Sequence, residues 1–142
     1  MDSGFHYTID AFGCDHAALI NSELMFDFLK TLPESVGMKV IGGPYVKYYN
    51  NEDIIVEKEE GPTGVVVLAE SHASLHSYPH KQYLAFDLFS CKEFDKNIVK
   101  EQIISLYKPQ KTYENFLNRG FTIENLATDT MESLCTVWIA DI

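Results

Sequence analysis

The sequence predicts an α+β fold in which two amphipathic helices cover one face of an antiparallel sheet. Most of its apolar residues fall in short continuous or alternating runs, which are typical of strands. Two longer segments repeat their apolar residues at helical spacing instead. The resulting order, β-α-β-β-β-β-α-β, is satisfied most simply by a two-layer α/β sandwich. With 142 residues and 46% apolar content, we expect a single domain, 1–142, with its own core.

The first strand and the first helix are predicted near the N-terminus. Phe5 to Ala11 alternates between apolar and polar residues, as a strand with one buried face does. Asp15 is expected to cap the following helix, because a carboxylate can accept a hydrogen bond from the free N–H groups of a first turn. Pro33 and Gly37 are expected to close that helix.

Four further strands are predicted from apolar runs in the middle of the chain. The runs cover residues 38–49, 65–69, 75–78 and 84–90. A G-G-P motif at 42–44 interrupts the first run, so we expect either a bent strand or a pair of strands there. The polar, acidic residues 50–61 are predicted to form a loop. Asp95 is then expected to cap the second helix, which ends near Pro109.

The residues that follow form a C-terminal extension, 122–142, in which a polar part precedes the apolar run C-T-V-W-I-A. An apolar end must be buried somewhere. The simpler expectation is a packed terminal strand. The alternative is a contact within an assembly.

Charge and cysteine content argue against several classes of protein. The chain has 21 acidic and 11 basic residues, a formal charge of −10, which opposes nucleic-acid binding because that binding depends on Lys and Arg displacing counterions. The three cysteines form no C-x-x-C pair, so we expect neither a disulfide framework nor a zinc site, and a reducing cytoplasm is favoured. An export signal and an apolar run of about 18 residues are both absent from the sequence, so no membrane association is expected.

The stretch L-A-E-S-H-A-S-L-H, residues 68–76, brings a carboxylate, a hydroxyl and two imidazoles to the end of a buried strand. Ser71 and His72 are adjacent, so in a strand they point to opposite faces and cannot form a nucleophile–base pair. No G-x-S-x-G motif surrounds the serine. An α/β-hydrolase is therefore poorly supported.

His72, His76 and His80 are spaced by four residues, as metal ligands on one face of a helix would be. Tyr78 and Pro79 favour an extended segment instead. At the rise of a strand the three imidazoles would spread over more than about 20 Å. We therefore expect no metal site.

The cluster belongs to a longer pattern, G-V-V-V-L-A-E-S-H-A-S-L-H-S-Y-P, which is followed by D-L-F-S-C-K-E-F-D. This pattern resembles the small bacterial and archaeal form of S-adenosylmethionine decarboxylase, a self-cleaving, pyruvoyl-dependent enzyme of polyamine synthesis. H-Y-T-I-D-A-F-G-C-D and N-R-G-F are similar too, so the resemblance spans residues 6 to 121. Its most specific part is Glu-Ser-His with a second histidine five residues after the serine and a cysteine twenty after it.

The resemblance implies that the chain cuts itself between Glu70 and Ser71, giving a β chain of residues 1–70 and an α chain of residues 71–142. The Ser71 hydroxyl would attack the Glu70 carbonyl, and elimination and hydrolysis would leave a covalent pyruvoyl cofactor at position 71. His76 matches the acid–base residue of this processing, and Thr63 falls where the family carries an assisting hydroxyl. Ser71 and His76 have opposite strand parity, so the residues alone do not bring them together.

In the reaction that the resemblance implies, the pyruvoyl carbonyl forms a Schiff base with the amine of a small-molecule substrate and accepts electrons as carbon dioxide leaves. Cys91 matches the proton donor of the family, whereas Cys14 and Cys135 are expected to be small buried residues. The family also implies a homodimer, in which two sheets pack face to face as four layers, αββα.

One position departs from the family pattern. The run H-S-Y-P-H ends in His80, where the family usually has a glutamate that holds the ribose hydroxyls. A neutral imidazole offers one acceptor where a carboxylate offers several, so L-ornithine or L-arginine remains an alternative substrate, and a non-processing regulatory paralogue is a third possibility. Tyr78 and His80 are the expected substrate-binding residues, with Tyr48 as a further candidate.

Overall fold

The computed structural model describes residues 4–50 and 58–120. Six strands form one antiparallel sheet in the order β2-β3-β4-β5-β1-β6. Three helices complete the fold, and a 3-10 turn over Pro79–Lys81 joins β4 to β5. The elements are β1 (Gly4–Phe12), α1 (His16–Leu19), α2 (Ser22–Ser35), β2 (Val40–Tyr49), β3 (Gly61–Leu68), β4 (Ser71–Tyr78), β5 (Tyr83–Ser90), α3 (Lys96–Tyr107) and β6 (Lys111–Arg119).

The two faces of the sheet differ in what covers them. One face packs against α2 and α3 and forms a single apolar core with them, which confirms the predicted two-layer α/β sandwich. The other face, called the open face here, carries the alternate side chains of the same strands. On β1, β3, β4 and β5 these include His6, Thr8, Asp10, Phe12, Thr63, Val65, Val67, His72, Ser74, His76, Tyr78, Tyr83, Asp87 and Phe89.

The predicted first helix is two helices. Asn21 caps α2, since its side-chain oxygen accepts a hydrogen bond from the Leu24 N–H at 3.0 Å. Asp15 precedes α1 as predicted, but its side chain makes no capping hydrogen bond. Pro33 lies inside the last turn of α2 instead of closing the helix, because a proline near a helix end forgoes a single backbone hydrogen bond. None of the helices among the described residues has the length and apolar content that a membrane crossing requires.

The second predicted helix corresponds to α3 and agrees with its prediction at both ends. Asp95 caps α3 by accepting a hydrogen bond from the Asn97 N–H at 2.9 Å. The last residue of the helix is Tyr107, and the next residue, Lys108, adopts a left-handed conformation just before Pro109.

Four strands, β1, β3, β4 and β5, are longer than the runs that predicted them, whereas β2 begins two residues later than its run. β2 is one strand with irregular pairing around its G-G-P motif, so the bent strand is confirmed and the strand pair is not. β3 begins at Gly61 and β4 at Ser71, several residues before the apolar runs begin. Only every second residue of β4 faces the core, so its polar half is absent from any continuous apolar run.

The last strand was not located by the sequence. β6 contains few apolar residues and lies at the edge of the sheet, where a strand buries little surface. The C-T-V-W-I-A run, for which a terminal strand was expected, lies outside the described residues.

We expect Asn21→Ala to lower the free energy of unfolding by about 1 kcal/mol, because the N-cap of α2 loses its hydrogen bond. Asp15→Ala is the matched control, since Asp15 makes no capping bond. Urea denaturation followed by circular dichroism measures both variants. Equal losses for the two would contradict this account of the caps.

Candidate active site

A two-residue turn, Ala69-Glu70, connects β3 to β4. Three hydrogen bonds hold it. The Cys91 N–H donates to the Glu70 carbonyl oxygen at 2.9 Å, and the Ala69 N–H donates to the Lys39 carbonyl oxygen at 2.9 Å. The Lys39 N–H donates to the Glu70 carboxylate at 2.8 Å. The carbonyl that precedes Ser71 is therefore both fixed in position and polarised by a donor.

Ser71 itself has an unusual backbone conformation. It pairs with Leu68 on β3 and with Ser90 on β5, and its φ is 156°. Positive φ angles of this size are adopted freely by glycine, and other residues there are strained by on the order of 1–3 kcal/mol. A strained peptide next to a nucleophilic hydroxyl is what self-cleavage at this bond would require.

Cys91 lies directly after β5, with its amide bound to the turn and its thiol exposed. Cys14 differs from it in the burial of its side chain. It is buried as predicted, its thiol donates to the Ala11 carbonyl oxygen, and burial raises its pKa to about 11. Cys135 lies outside the described residues. Of the two described thiols, only Cys91 is open to a substrate.

His76 and Thr63 form a second group of functional side chains. They face each other across β3 and β4, and the Thr63 hydroxyl shares a hydrogen bond with His76 Nδ1. Burial lowers the pKa of His76, although the charge of Asp87 partly opposes this effect. His76 is therefore neutral near pH 7 and can act as a base.

Within one chain the structure does not bring Ser71 and His76 together. They lie at opposite ends of β4, five residues apart, which corresponds to about 16 Å along a strand. The parity argument from the sequence therefore holds in the structure. We call Glu70, Ser71 and Cys91 the cleavage end, and Thr63, His76, Tyr78 and His80 the histidine end.

The predicted substrate-binding residues are spread over the histidine end and β2. Tyr78 stacks on Tyr83, with ring centroids 5.3 Å apart, and Tyr83 stacks on Phe12 at 5.2 Å. His80 is exposed in the 3-10 turn. Tyr48 is exposed on β2, which pairs with β3 and not with β4. Tyr78 thus belongs to a row of stacked rings that follows His76 along β4, and Tyr48 lies apart from this row on β2.

Glu59 lies in the segment predicted to be a polar loop, yet it is only 1% exposed, and its carboxylate accepts a hydrogen bond from the His80 N–H at 3.1 Å. A buried acid and a surface acid look alike in a sequence. The structure thus supplies a carboxylate next to the position where the family pattern has lost one.

Asp87 is a second carboxylate whose surroundings the sequence does not indicate. It accepts hydrogen bonds from His6 at 2.8 Å, from His72 at 3.1 Å and from Ser74. Burial raises the pKa of Asp87, but the hydrogen bonds from Ser74, His6 and His72 outweigh it and lower the pKa overall. The aspartate of the D-L-F-S-C motif is the signal that could have found it, yet its partners come from two other strands, β1 and β4.

The three histidines at four-residue spacing do not converge. His72 bonds Asp87, His76 bonds Thr63, and His80 belongs to the turn after β4. Across residues 4–50 and 58–120, no three His, Cys, Asp or Glu side chains are grouped as a metal ion would need.

Comparison with known proteins agrees with this geometry. Residues 5–120 match the family model described as S-adenosylmethionine decarboxylase. The chain belongs to this family. It is 32% identical to the S-adenosylmethionine decarboxylase proenzyme of Clostridium botulinum strain Loch Maree / Type A3, over 72% of this chain and 84% of the relative. The corresponding proenzyme of Thermococcus gammatolerans is 26% identical, over 95% of this chain and 87% of the relative.

A solved structure has the same fold. The adenosylmethionine decarboxylase from Aquifex aeolicus VF5 superimposes with a TM-score of 0.69 at 25% identity, covering 87% of this chain and 95% of that one. The family resemblance that the Glu-Ser-His pattern indicated is therefore confirmed. Membership makes the chain a decarboxylase, a carbon–carbon lyase. The individual roles of Ser71, His76, Cys91, Glu70 and Thr63 stay predictions.

We expect Asp87→Asn to lower the free energy of unfolding at pH 7, because three hydrogen-bond donors favour the ionised carboxylate in the folded chain. A folded-state pKa below the ordinary value of 3.8 contributes stability above that value and loses it as the pH falls through the folded pKa. The difference between variant and wild type should therefore shrink below about pH 4. Asp27→Asn, at an exposed acid on α2, is the control. A difference that stays constant from pH 7 to pH 3 would contradict this account.

Proposed function

We propose that this protein is a self-processing, pyruvoyl-dependent decarboxylase that converts S-adenosylmethionine to decarboxylated S-adenosylmethionine and carbon dioxide. The observation that carries the proposal is the geometry of the Glu70-Ser71 bond. Its carbonyl is held by the Cys91 amide, and the residue after it has a strained φ. A cytoplasmic location fits this chemistry, because a reducing compartment keeps the exposed Cys91 thiol free.

Self-cleavage begins when Ser71 Oγ attacks the Glu70 carbonyl carbon. A C–O bond forms, the C–N bond breaks, and the hydroxyl proton passes by way of a base to the released amine. In the second step the ester eliminates: the Ser71 α-proton and the main-chain carboxylate of Glu70 leave, and a carbon–carbon double bond forms at residue 71. Its imine tautomer is then hydrolysed by water, so that the ketone of the pyruvoyl group remains and the nitrogen leaves as ammonia. The Cys91 N–H, at 2.9 Å from the Glu70 oxygen, stabilises the negative charge that develops there in the first step.

The residues of the cleavage end fit the cofactor that this reaction would produce. A pyruvoyl group at position 71 would supply a carbonyl that withdraws electrons from the substrate as carbon dioxide leaves. Cys91 follows Ser90, the residue that pairs with Ser71, and its thiol is exposed. It can therefore deliver a proton to the substrate carbon that has lost its carboxylate.

We further propose that the working enzyme is a homodimer in which the histidine end of one chain meets the cleavage end of its partner. A base must come within hydrogen-bond reach of the proton it takes, and His76 is about 16 Å from Ser71 along its own strand. Two chains can pack with their open faces together around a two-fold axis that lies between the two sheets and runs perpendicular to the strands. Such an axis places the cleavage end of β4 in one chain next to the histidine end of β4 in the other. Packing in four layers would also bury Phe12, Val65 and Val67, which are exposed on that face.

S-adenosylmethionine is the substrate that the comparisons support, since the C. botulinum and T. gammatolerans relatives are both named for it. L-Ornithine and L-arginine are the competing substrates, and the comparisons do not favour them.

We expect purified protein to separate into two fragments under denaturing conditions and to release carbon dioxide from S-adenosylmethionine, with little release from L-ornithine or L-arginine. Mass spectrometry and a radiolabelled carbon dioxide assay measure the two effects. Ser71→Ala should remain intact and inactive. A wild-type chain that stays at 16.2 kDa after long incubation would overturn the proposed function, and preferential turnover of a basic amino acid would overturn the substrate alone.

Co-expression of Ser71→Ala with His76→Ala chains tests the shared site. Each variant alone should remain uncleaved, whereas in mixed dimers the intact Ser71 of one chain meets the intact His76 of the other. Only His76→Ala chains should then be cut, as tagged chains on a denaturing gel would reveal. His76→Ala co-expressed with the double variant is the control, because no combination of those chains restores a complete site. Cleavage absent from the first mixture would contradict the shared arrangement.

A further inference from the structure

β6 leaves one edge of the sheet open. It is the last strand of the sheet order and pairs with β1 from Gly4–Arg119 to Phe12–Lys111. In an antiparallel pair every second residue directs its N–H and C=O groups away from the partner. Within the part of the chain that the structure describes, no strand takes up these outward groups of β6. Open edges of this kind pair readily with any other strand.

The side chains of β6 also lack cover. Tyr113 is 62% exposed, Leu117 51% and Phe116 37%, and they point to both sides of the sheet. Natural edge strands are usually protected by a proline, a bulge or a central charge. β6 has no proline and pairs with β1 in regular register. Its central charge, Glu114, is paired with Lys96 and Lys100 of α3, and its own cations lie only at its two ends. A dimer joined through the open faces would cover Leu117 but not the outer backbone edge.

We propose that residues 133–140 of the same chain, S-L-C-T-V-W-I-A, bind this edge as a seventh, antiparallel strand. Their β-branched and aromatic residues favour a strand. The chain leaves β6 at Gly120, whose φ of 92° is open to glycine and strained for other residues. Residues 121–132 then provide ample length for the chain to turn back alongside β6.

Charge distinguishes this edge from the other apolar surface that the segment could reach. Residues 121–142 contain four acids, namely Glu124, Asp129, Glu132 and Asp141, and no Lys or Arg. β6 ends in Lys111 and Arg119, and Lys96 and Lys100 of α3 lie beside it, within 3.5 Å of Glu114. The groove between α2 and α3 is bordered by Asp27 and Glu101 instead. An acidic segment is therefore attracted to β6 and repelled by the groove.

This pairing is independent of the proposed function. β6 and residues 133–140 both follow position 71, so they remain on one polypeptide whether or not the chain is cut. The family match ends at residue 120. Residues 133–140 therefore lie beyond the part of the chain that the family model matches.

Amide hydrogen exchange on the full chain tests the proposal, with Val137→Pro as the disruptive variant and Thr130→Pro as the control. A proline at 137 removes an N–H from the middle of the new strand, whereas position 130 lies in the connection. In wild type the outward amides of β6 should exchange as slowly as those that face β1. Val137→Pro should speed the outward set about tenfold or more and leave the inward set unchanged. Thr130→Pro should alter neither set.

Trp138 provides a second readout, because it is the only tryptophan in the chain. Acrylamide should quench it less in wild type and Thr130→Pro than in Val137→Pro. Fast exchange of the outward amides in wild type, or equal quenching in all three proteins, would overturn the proposal. Protection of the outward amides that disappears on dilution would also overturn it, because the edge would then pair with a second copy of the chain. Exchange effects of Val137→Pro that are confined to Leu24, Phe28 and Leu106 would overturn it too, because they would place the segment in the groove between α2 and α3.

Discussion

The hydrogen bond from the Cys91 amide to the Glu70 carbonyl ties the turn between β3 and β4 to the end of β5. Three functions predicted for this region depend on that one contact. It holds the bond to be cut, it supplies a donor for the charge that develops on the carbonyl oxygen, and it places the Cys91 thiol beside position 71. Since the donor is a backbone group, its position is set by strand pairing between β4 and β5 and not by the rotamer of a flexible side chain.

The straightness of β4 imposes a second constraint. Strand geometry separates the cleavage end from the histidine end by more than any side chain can span. A single chain therefore carries two half-sites at opposite ends of β4, and association of two chains is the economical way to join them. The exposed apolar residues on that surface give such association a driving force that does not depend on the active-site residues.

Two carboxylates are withdrawn from solvent by other parts of the chain. Asp87, partly buried in the middle of β5, stays ionised because Ser74, His6 and His72 donate to it. Glu59 is buried beside His80, whose N–H donates to it. The formal charge of −10 gives no indication of either residue, since the partners that lower the cost of burying a carboxylate come from distant parts of the chain.

The sequence by itself determined the fold class, a strand at each apolar run, the N-cap of α3 and the family. These follow from local periodicity, capping chemistry and the spacing of Glu70, Ser71, His76 and Cys91. Only the tertiary structure decided that α1 and α2 are separate, that Lys111–Arg119 forms the edge strand β6 and that Glu59 is buried. It also decided that Ser71 and His76 remain apart within one chain. The physical reason is that periodicity records which face of an element is buried, whereas contacts between elements depend on register and packing, which adjacent residues do not encode.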